Sequence, residues 1–577
     1  MPFPTLACKK KDMSDEEKLS PVEIIKEASN YLRGTIGSEL QADTTHFSKP
    51  DIQLLKFHGT YQQDDRETRV TSSEGGKSEK SFSFMVRCRI PAGIMTSDHL
   101  LAYLDLCDEI GNSTVKVTTR QAIQLHGIIK SDLKKCIRRI NDVGQSTLSA
   151  CGDVNRNVMA CPAPYHDGIR PQVQKLAYDL AMHLAPQSKA YHELWLTDDE
   201  TGEKTLAGGS DEFFEPIYGK VYLPRKFKTA IALPNDNCVD VYTNCLGYIA
   251  VIRNGELIGY NVTVGGGLGT TPAIKKTAPM LARRMAFCTP EQAVAVGEAV
   301  VKVQRDFGNR GDRKVGRLKY LIASRGIEWF RSKVEEYLGE KLADCTSDDV
   351  TEHNDHIGWD QQGDGKWFYG FNVENGRLYD NENRQWKKAL RDICTILKPE
   401  IRLTAHQSIL FCNIEEKDKQ KLERLIKGYG LPLSEEISTV RRWSIACVAL
   451  PTCSLAITES ERVLPSVIDE MEVELQKLGL EKEKFTVRMT GCPNGCARPY
   501  NADIGLVGKA KGKYTLFLGG TRIGTRLAFV HKDLVPMEQI VPTLKPIFTA
   551  FRNLRQPEES FGDFCNRMGN TRLQAFA

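Results

Sequence analysis

The chain reads as an internally duplicated α+β protein: a small α+β module followed by a larger one, then the same pair again. Three observations predict this. Val117-Thr118-Thr119-Arg120-Gln121-Ala122-Ile123-Gln124-Leu125 and Leu403-Thr404-Ala405-His406-Gln407-Ser408-Ile409-Leu410-Phe411 stand 286 positions apart, share Thr, Gln and Ile in step, and alternate in the same phase. The stretches Arg253–Gly269 and Lys511–Gly524 are each a turn, an alternating strand and a Gly-rich turn, with Gly265 and Gly519 standing 254 positions apart. Strand and helix periodicities alternate around both copies. A duplicated scaffold has pseudo-twofold symmetry, and a large cofactor could sit on its axis with basic side chains from both halves.

The first 81 residues read as a flexible leader and an N-terminal arm. Met1 to Ser20 has Lys9, Lys10 and Lys11 but no apolar stretch after them, so it is not a secretory signal. Residues 21–32 read as a helix, with Pro21 in its first turn and Ile24, Ile25, Ala28 and Leu32 as its apolar stripe. Leu54 to Arg66 is polar and aromatic, a surface loop or an arm around another module. Residues 72–81 are rich in Ser, Gly, Lys and Glu and read as a linker.

The first small module, 82–150, reads β-α-β-β-α. Phe84–Ile90 is a strand and 97–109 a helix. Thr114–Leu125 is a strand pair broken near Thr119-Arg120, and 131–143 is a second helix. The larger module covers 151–355. In the second small module, 356–430, Trp367–Val373 runs into Asn375-Gly376, a hairpin signal, and 384–397 is helical. The second large module, 431–577, contains the helical stripe Leu464, Ile468, Met471, Leu475 and Leu478.

Composition is that of a globular protein, 41% apolar and 26% charged, and at 577 residues it can bury several cores. No apolar run approaches the ~18 residues that span a bilayer. The net charge of +4 is too small to argue for nucleic acid. Seventeen cysteines without a secretory signal favour a reducing, cytoplasmic setting.

Four of those cysteines stand out. Cys447 and Cys453 have five residues between them, and Cys492 and Cys496 have three; Pro451, Pro493 and Gly495 shape the turns. Zinc ribbons favour two-residue spacings, so the pattern points to an iron–sulfur cluster, with four buried structural thiols as the plain alternative. The glycines at 265–269 and 519–520 match no Walker loop or dinucleotide fold and read on their own as tight turns. Arg225-Lys226-Phe227-Lys228, read as a strand, puts two ammoniums on one face, which repel unless an anion lies between them. Arg87 and Arg89 share a face in the same way. A solvated charged strand is the bland reading of each.

Together these residues resemble the hemoprotein component of assimilatory sulfite reductases, in the sulfite/nitrite reductase superfamily. The likeness runs from Asn30-Tyr31-Leu32-Arg33-Gly34 to Phe561-Gly562-Asp563-Phe564, and Thr490-Gly491-Cys492-Pro493-Asn494-Gly495-Cys496 carries it most specifically. The resemblance implies two ferredoxin-like modules and two larger siroheme- and cluster-binding modules. It implies a [4Fe–4S] cluster on Cys447, Cys453, Cys492 and Cys496, with Cys496 bridging to a siroheme. It puts the substrate cations at Arg87, Arg156, Lys226 and Lys228. It puts siroheme contacts at Thr118, Arg120, Gln124, Arg225, Arg317, Gln407 and Asn494, Arg317 standing where relatives can carry Lys.

The expected reaction is six-electron reduction of sulfite to sulfide. Having both Lys226 and Lys228, and the Ala446–Cys453 form of the first cysteine pair, favours sulfite over nitrite. Segments around Ala150–Val158, Pro162-Ala163-Pro164 and Ser560–Cys565 resemble the branch that takes electrons from ferredoxin; an NADPH flavoprotein subunit is the alternative donor. Some relatives of that branch carry a Tyr–Cys thioether, which would fall on Tyr61 and Cys151; a free thiol is the plainer expectation. A non-catalytic scaffold relative is the remaining alternative, which intact cluster and anion positions disfavour.

Overall fold

The computed structural model describes residues 19–69, 79–188, 195–197, 201–202, 204–206, 214–271 and 274–576. The expected leader up to residue 18 and most of the linker, 70–78, lie outside the described residues.

Four five-stranded sheets fall into two matched pairs. The first small sheet runs Thr60–Asp64, Phe82–Arg87, Ile123–Ile128, Val115–Val117, Arg377–Leu378; the second runs Gly358–Gln361, Trp367–Phe371, Ile409–Ile414, Glu400–Leu403, Ile94–Met95. Both are antiparallel throughout. Each borrows its last strand from the other half. Arg377–Leu378 crosses to pair with Val115 and Lys116, and Ile94–Met95 crosses to pair with Ile401 and Arg402. The two small sheets consequently share one core, in which Phe84, Val86 and Leu125 join Phe371, Ile409 and Phe411.

The large sheets are also a matched pair. One runs Met159–Ala160, Thr229–Ala232, Leu246–Arg253, Glu256–Val264, Arg283–Cys288; the other runs Ser444–Ala446, Val487–Thr490, Ile504–Ala510, Lys513–Leu518, Phe529–Pro536. In each, the first three strands are parallel and the last two antiparallel. The Gly-rich turns follow equivalent strands, with Gly265 and Gly519 at φ +89° and +88°. The duplication is therefore present in topology, order and backbone conformation.

The halves meet through a buried ion pair. Asp240 and Arg498 each have a left-handed backbone and each precedes a single 3-10 turn, Val241–Thr243 and Pro499–Asn501. They occupy equivalent places in the two large modules, and Arg498 Nε lies 3.1 Å from Asp240 Oδ2. Arg488 joins them at 2.8 Å.

Several local expectations change. The helix at 21–32 ends at Glu27, because Asn30, Tyr31 and Leu32 take left-handed backbone angles. The segment read as a loop or arm supplies the edge strand Thr60–Asp64. Asn375 has the positive φ its sequence signals, but Arg377–Leu378 does not fold back into a hairpin. Gly376 explains the path: a Cβ there would stand 2.2 Å from Val117 O, so the chain passes against the other half's backbone. The helices Ser97–Glu109, Leu133–Asp142, Trp386–Ile396 and Leu464–Leu478 lie where periodicity puts them. No helix among the described residues is long and apolar enough to cross a membrane.

Candidate active site

The four cysteines sit on loops leaving the parallel strands of the second large sheet. Cys447 directly follows Ser444–Ala446, and its amide donates to Met489 O at 3.2 Å. Cys492 and Cys496 follow Val487–Thr490. Gly491 N donates to Cys447 Sγ at 3.4 Å, and Asn494 Nδ2 donates to Cys492 Sγ at 3.4 Å. These are the amide and side-chain donors a thiolate accepts. Burial pushes the Cys447, Cys453 and Cys492 thiols up, Cys492 to about 12, and the neighbouring Cys496 adds to each. Cys447, Cys453 and Cys492 are thereby disfavoured from ionising until a cationic centre joins them. Cys496 is the exposed member of the set.

The first half closes over these loops. Thr119 Oγ1 donates to Cys496 O at 2.9 Å, and Thr270 N to Pro493 O at 2.9 Å. The arm contributes Arg66, a residue the sequence reading passed over. Its guanidinium donates to Ala456 O at 3.0 Å, Ser454 O at 3.0 Å and Cys453 O at 3.3 Å.

Beside Cys496 the cations converge. Residues 223–228 are not a strand; they lead into Thr229–Ala232 through a single bridge, Phe227 to Asn155. The backbone still alternates, with Phe227 buried and Lys226 and Lys228 half-buried on the other side. Leu223 N donates to Asp153 O, Phe227 N to Val154 O and Arg156 N to Phe227 O, at 3.0 to 3.1 Å. This lacing sets Arg156 beside the two lysines. From behind, Lys26 Nζ donates to Leu223 O at 2.7 Å.

The remaining predicted residues ring the same space. Arg87 lies opposite Gln124 across the strand pair, and with the Gln124 amide turned so that its oxygen faces the guanidinium, that oxygen accepts from Arg87 Nε at 2.8 Å. Arg87 Nη1 also donates to Cys151 Sγ at 2.8 Å, with the Tyr61 ring 5.8 Å from its guanidinium. Tyr61 itself is pushed up to about 12 by burial, with Cys151 adding to it. Thr118 Oγ1 accepts from Arg120 N at 3.2 Å; the Arg120 guanidinium donates to Asn244, Asn157 and Thr229. Arg317 donates to Gly266 O at 3.2 Å, and a Cβ on Gly267 would stand 2.5 Å from its Cζ, so glycine there makes room for the guanidinium. Arg225, Lys226, Arg317 and Asn494 line one open pocket with Arg313 and Tyr320. Gln407 stands apart, buried in backbone contacts between the halves.

Charge in this space is unbalanced. Lys226 is pushed down to about 7 by burial, with Arg156, Arg317 and Arg225 adding to it. Lys228 is driven well below the usual lysine range by burial, with Arg120 and Lys226 adding. Arg120 falls to about 9 by burial, with Arg156 adding. Arg120 Nε and Arg317 Nε are buried without a hydrogen-bond acceptor among the described residues. A polyanion is what such a cradle lacks. Sequence reading missed Arg313 and Lys319, since isolated basic residues in a charged chain carry no pattern. Lys319 is also held down to about 7 by burial and Arg317.

A family model described as the nitrite and sulphite reductase 4Fe-4S domain matches residues 179–342 and 440–576. One described as the nitrite/sulfite reductase ferredoxin-like half domain matches 77–143 and 360–429. A sulfite reductase (NADPH) hemoprotein beta-component of Oceanobacillus iheyensis is 43% identical over 556 residues, covering 96% of this chain and 95% of that one. A sulfite reductase (ferredoxin) of Synechococcus elongatus is 43% identical over 580 residues, covering 97% and 91%. The solved structure of the Mycobacterium tuberculosis NirA protein shares the fold, with a TM-score of 0.79 at 24% identity over 96% of this chain and 98% of that one.

The cofactors that these matches imply are a [4Fe–4S] cluster and a siroheme. Both fit the residues present, the four cysteines gathered on neighbouring loops the first and the orphaned arginine nitrogens of the cation ring the second. The chain belongs to the nitrite and sulphite reductase family, among its sulfite reductase hemoproteins.

Proposed function

We propose that the chain reduces sulfite to sulfide in six electron steps, with reduced ferredoxin as the donor. The observation that carries the substrate reading is the pair Lys226 and Lys228, set among Arg120, Arg156, Arg225 and Arg317.

In this reading Cys447, Cys453, Cys492 and Cys496 would hold the cluster. Cys496, the exposed one, would also reach the siroheme iron. Thr118, Arg120, Gln124, Arg225, Arg317 and Asn494 would meet siroheme carboxylates, and Gln407 would serve through the backbone it fixes. When bound, the two cofactors supply stored electrons beside a metal centre. The chain's own task is to hold the dianion and supply protons. Arg87 and Arg156 orient the oxyanion through their planar, forked guanidinium donors. Lys226, held to about 7 by burial, exchanges its proton near neutrality, so it can bind as an ammonium and donate from Nζ as an S–O bond breaks; Lys228, driven well below the usual lysine range by burial, stands beside it as a second nitrogen facing the anion. Nitrite, smaller and singly charged, leaves part of this charge unmatched.

Ferredoxin is supported by the resemblance of the Ala150–Val158 and Ser560–Cys565 segments to that branch and by the Synechococcus relative. A second reading, an NADPH flavoprotein as donor, is favoured by the hemoprotein beta-component relatives. Sulfide formation should be measured with reduced ferredoxin and, separately, with NADPH plus a flavoprotein reductase. Turnover with ferredoxin alone supports the first reading and turnover with the flavoprotein alone the second. No sulfide with either, nor with a dye reductant, would remove the sulfite assignment.

A further inference from the structure

The strands that present Cys447 and Cys496 have symmetry mates. Cys161 directly follows Met159–Ala160 as Cys447 follows Ser444–Ala446. Cys238 stands as far beyond Thr229–Ala232 as Cys496 stands beyond Val487–Thr490. Two of the four cluster cysteines are therefore repeated in the first half. The mate of Cys492 is Pro234, which offers no ligand, so a four-iron cluster cannot be held there in the same way.

Other ligand types gather at this point instead. Cys161, Asp236, Cys238 and His356 are all buried, and one ligand atom from each lies within 4.8 Å of every other. Cys161 Sγ is 2.8 Å from Asp236 Oδ2 and 3.5 Å from His356 Nε2, and His356 Nε2 is 2.9 Å from Asp236 Oδ2. The second carboxylate oxygen is taken: Asp236 Oδ1 accepts from Cys238 N at 3.1 Å and Asn354 N at 3.3 Å. That leaves Oδ2 aimed at the sulfurs and the imidazole, the way outer partners orient a ligating carboxylate.

We propose that Cys161, Asp236, Cys238 and His356 form a structural zinc site, the single-ion counterpart of the cluster site in the other half. Two thiolates, one imidazole and one carboxylate oxygen are a four-coordinate zinc donor set without an open position, and nothing in it is redox-active on the metal. The ion would tie the start of the first large sheet to the segment that enters the second small module, where His356 precedes the strand Gly358–Gln361.

The test uses the purified holoprotein, dialysed against micromolar zinc sulfate and then against metal-free buffer. Zinc, iron and siroheme are quantified together, and the zinc X-ray absorption edge is recorded. The expected result is about one zinc per chain, with two sulfurs near 2.3 Å and two nitrogen or oxygen ligands near 2.0–2.1 Å. Cys238→Ser should cut zinc at least tenfold while iron and siroheme stay at wild-type levels. Full iron and siroheme with negligible zinc in the wild type would overturn the proposal. So would zinc undiminished in Cys161→Ser/Cys238→Ser, or a Cys161–Cys238 disulfide found by peptide mapping. If the variants do not fold, the wild-type ligand shell decides, and any composition other than two sulfurs with two lighter ligands counts against the site.

Discussion

Gln121 and Gln407 make the same hydrogen bonds from opposite halves of the molecule. Gln121 Oε1 accepts from Ala160 N at 3.1 Å, and Gln407 Oε1 accepts from Ala446 N at 3.1 Å. Gln121 Nε2 donates to Leu403 O and Ala92 O; Gln407 Nε2 donates to Val117 O and Asn375 O. Both have positive φ, at +51° and +67°. Each clasps the other half's small sheet and fixes the strand that ends at Cys161 or Cys447.

Breaking one clasp should destabilise the fold, and breaking the other should also disturb the cluster. Gln407→Leu strands buried amide and carbonyl groups, at about 1–3 kcal/mol for each group left unpaired. Gln121→Leu should cost a similar amount. Denaturant unfolding should show both losses, but iron content should fall mainly in Gln407→Leu, because only its strand leads to a cysteine proposed as a cluster ligand. Equal iron in the two variants would show that the clasp does not position Cys447.

Lys226→Ala should keep the siroheme spectrum and lose sulfite turnover by about 100-fold or more, the scale of one charge-stabilising donor. Steady-state sulfide production alongside the absorption spectrum checks it. Near-normal turnover would place the substrate elsewhere.

Because burial and the neighbouring arginines hold Lys226 to about 7, its ammonium is present below that pH and lost above it. A bound dianion needs the ammonium, so sulfite affinity should weaken as pH rises from about 7, by up to about tenfold per unit. Lys226→Arg stays charged throughout. The ratio of wild-type to Lys226→Arg dissociation constants, taken at each pH, cancels sulfite's own ionisation and should rise steadily between pH 7 and 9. A flat ratio would contradict the lowered lysine.

Arg66→Ala should leave the fold intact and expose the cluster. Three carbonyls around Cys453 lose their donor, a loss of about 1–3 kcal/mol of local stability. Bleaching of the cluster absorption under an iron chelator should run several-fold faster than in wild type, with the unfolding midpoint little changed.

Asp240→Asn should be severe. It leaves Arg488 and Arg498 buried without their carboxylate, a loss of about 3–5 kcal/mol. Burial by itself would raise the Asp240 carboxyl, but Arg488 and Arg498 hold it below its ordinary value of 3.8. Its stabilisation is thus complete above that value and lost as pH falls through the lower, folded one. The wild type should show this acid loss in equilibrium unfolding, and Asp240→Asn should lack it.

Repetition made much of this legible. The Val117 and Leu403 segments match in sequence because each ends in a strand whose inward residues fill one shared core. The cysteine loops stood out because each pair is close in sequence, and the structure sets both on loops leaving neighbouring parallel strands. What stayed hidden is long-range. Asn375-Gly376 correctly signals a positive-φ turn, yet the strand after it pairs with Val115–Val117, a partner no local pattern names. Gln121 was visible only as an alignment match, because its function lies in carbonyls contributed by distant strands. Arg66 belongs to no motif, and its three acceptors lie nearly four hundred residues away in the chain. Lys226 and Lys228 do share a side, though the regular strand begins only at Thr229.

The Asp240–Arg498 pair carries a consequence for symmetry. In a symmetric dimer of one half, the two equivalent positions would hold the same residue, and two aspartates or two arginines facing each other would repel. Opposite charges across that axis require the two equivalent positions to differ, as they do here. The axis is attractive because the two copies are not identical there, and a dimer of two identical halves could not make that contact.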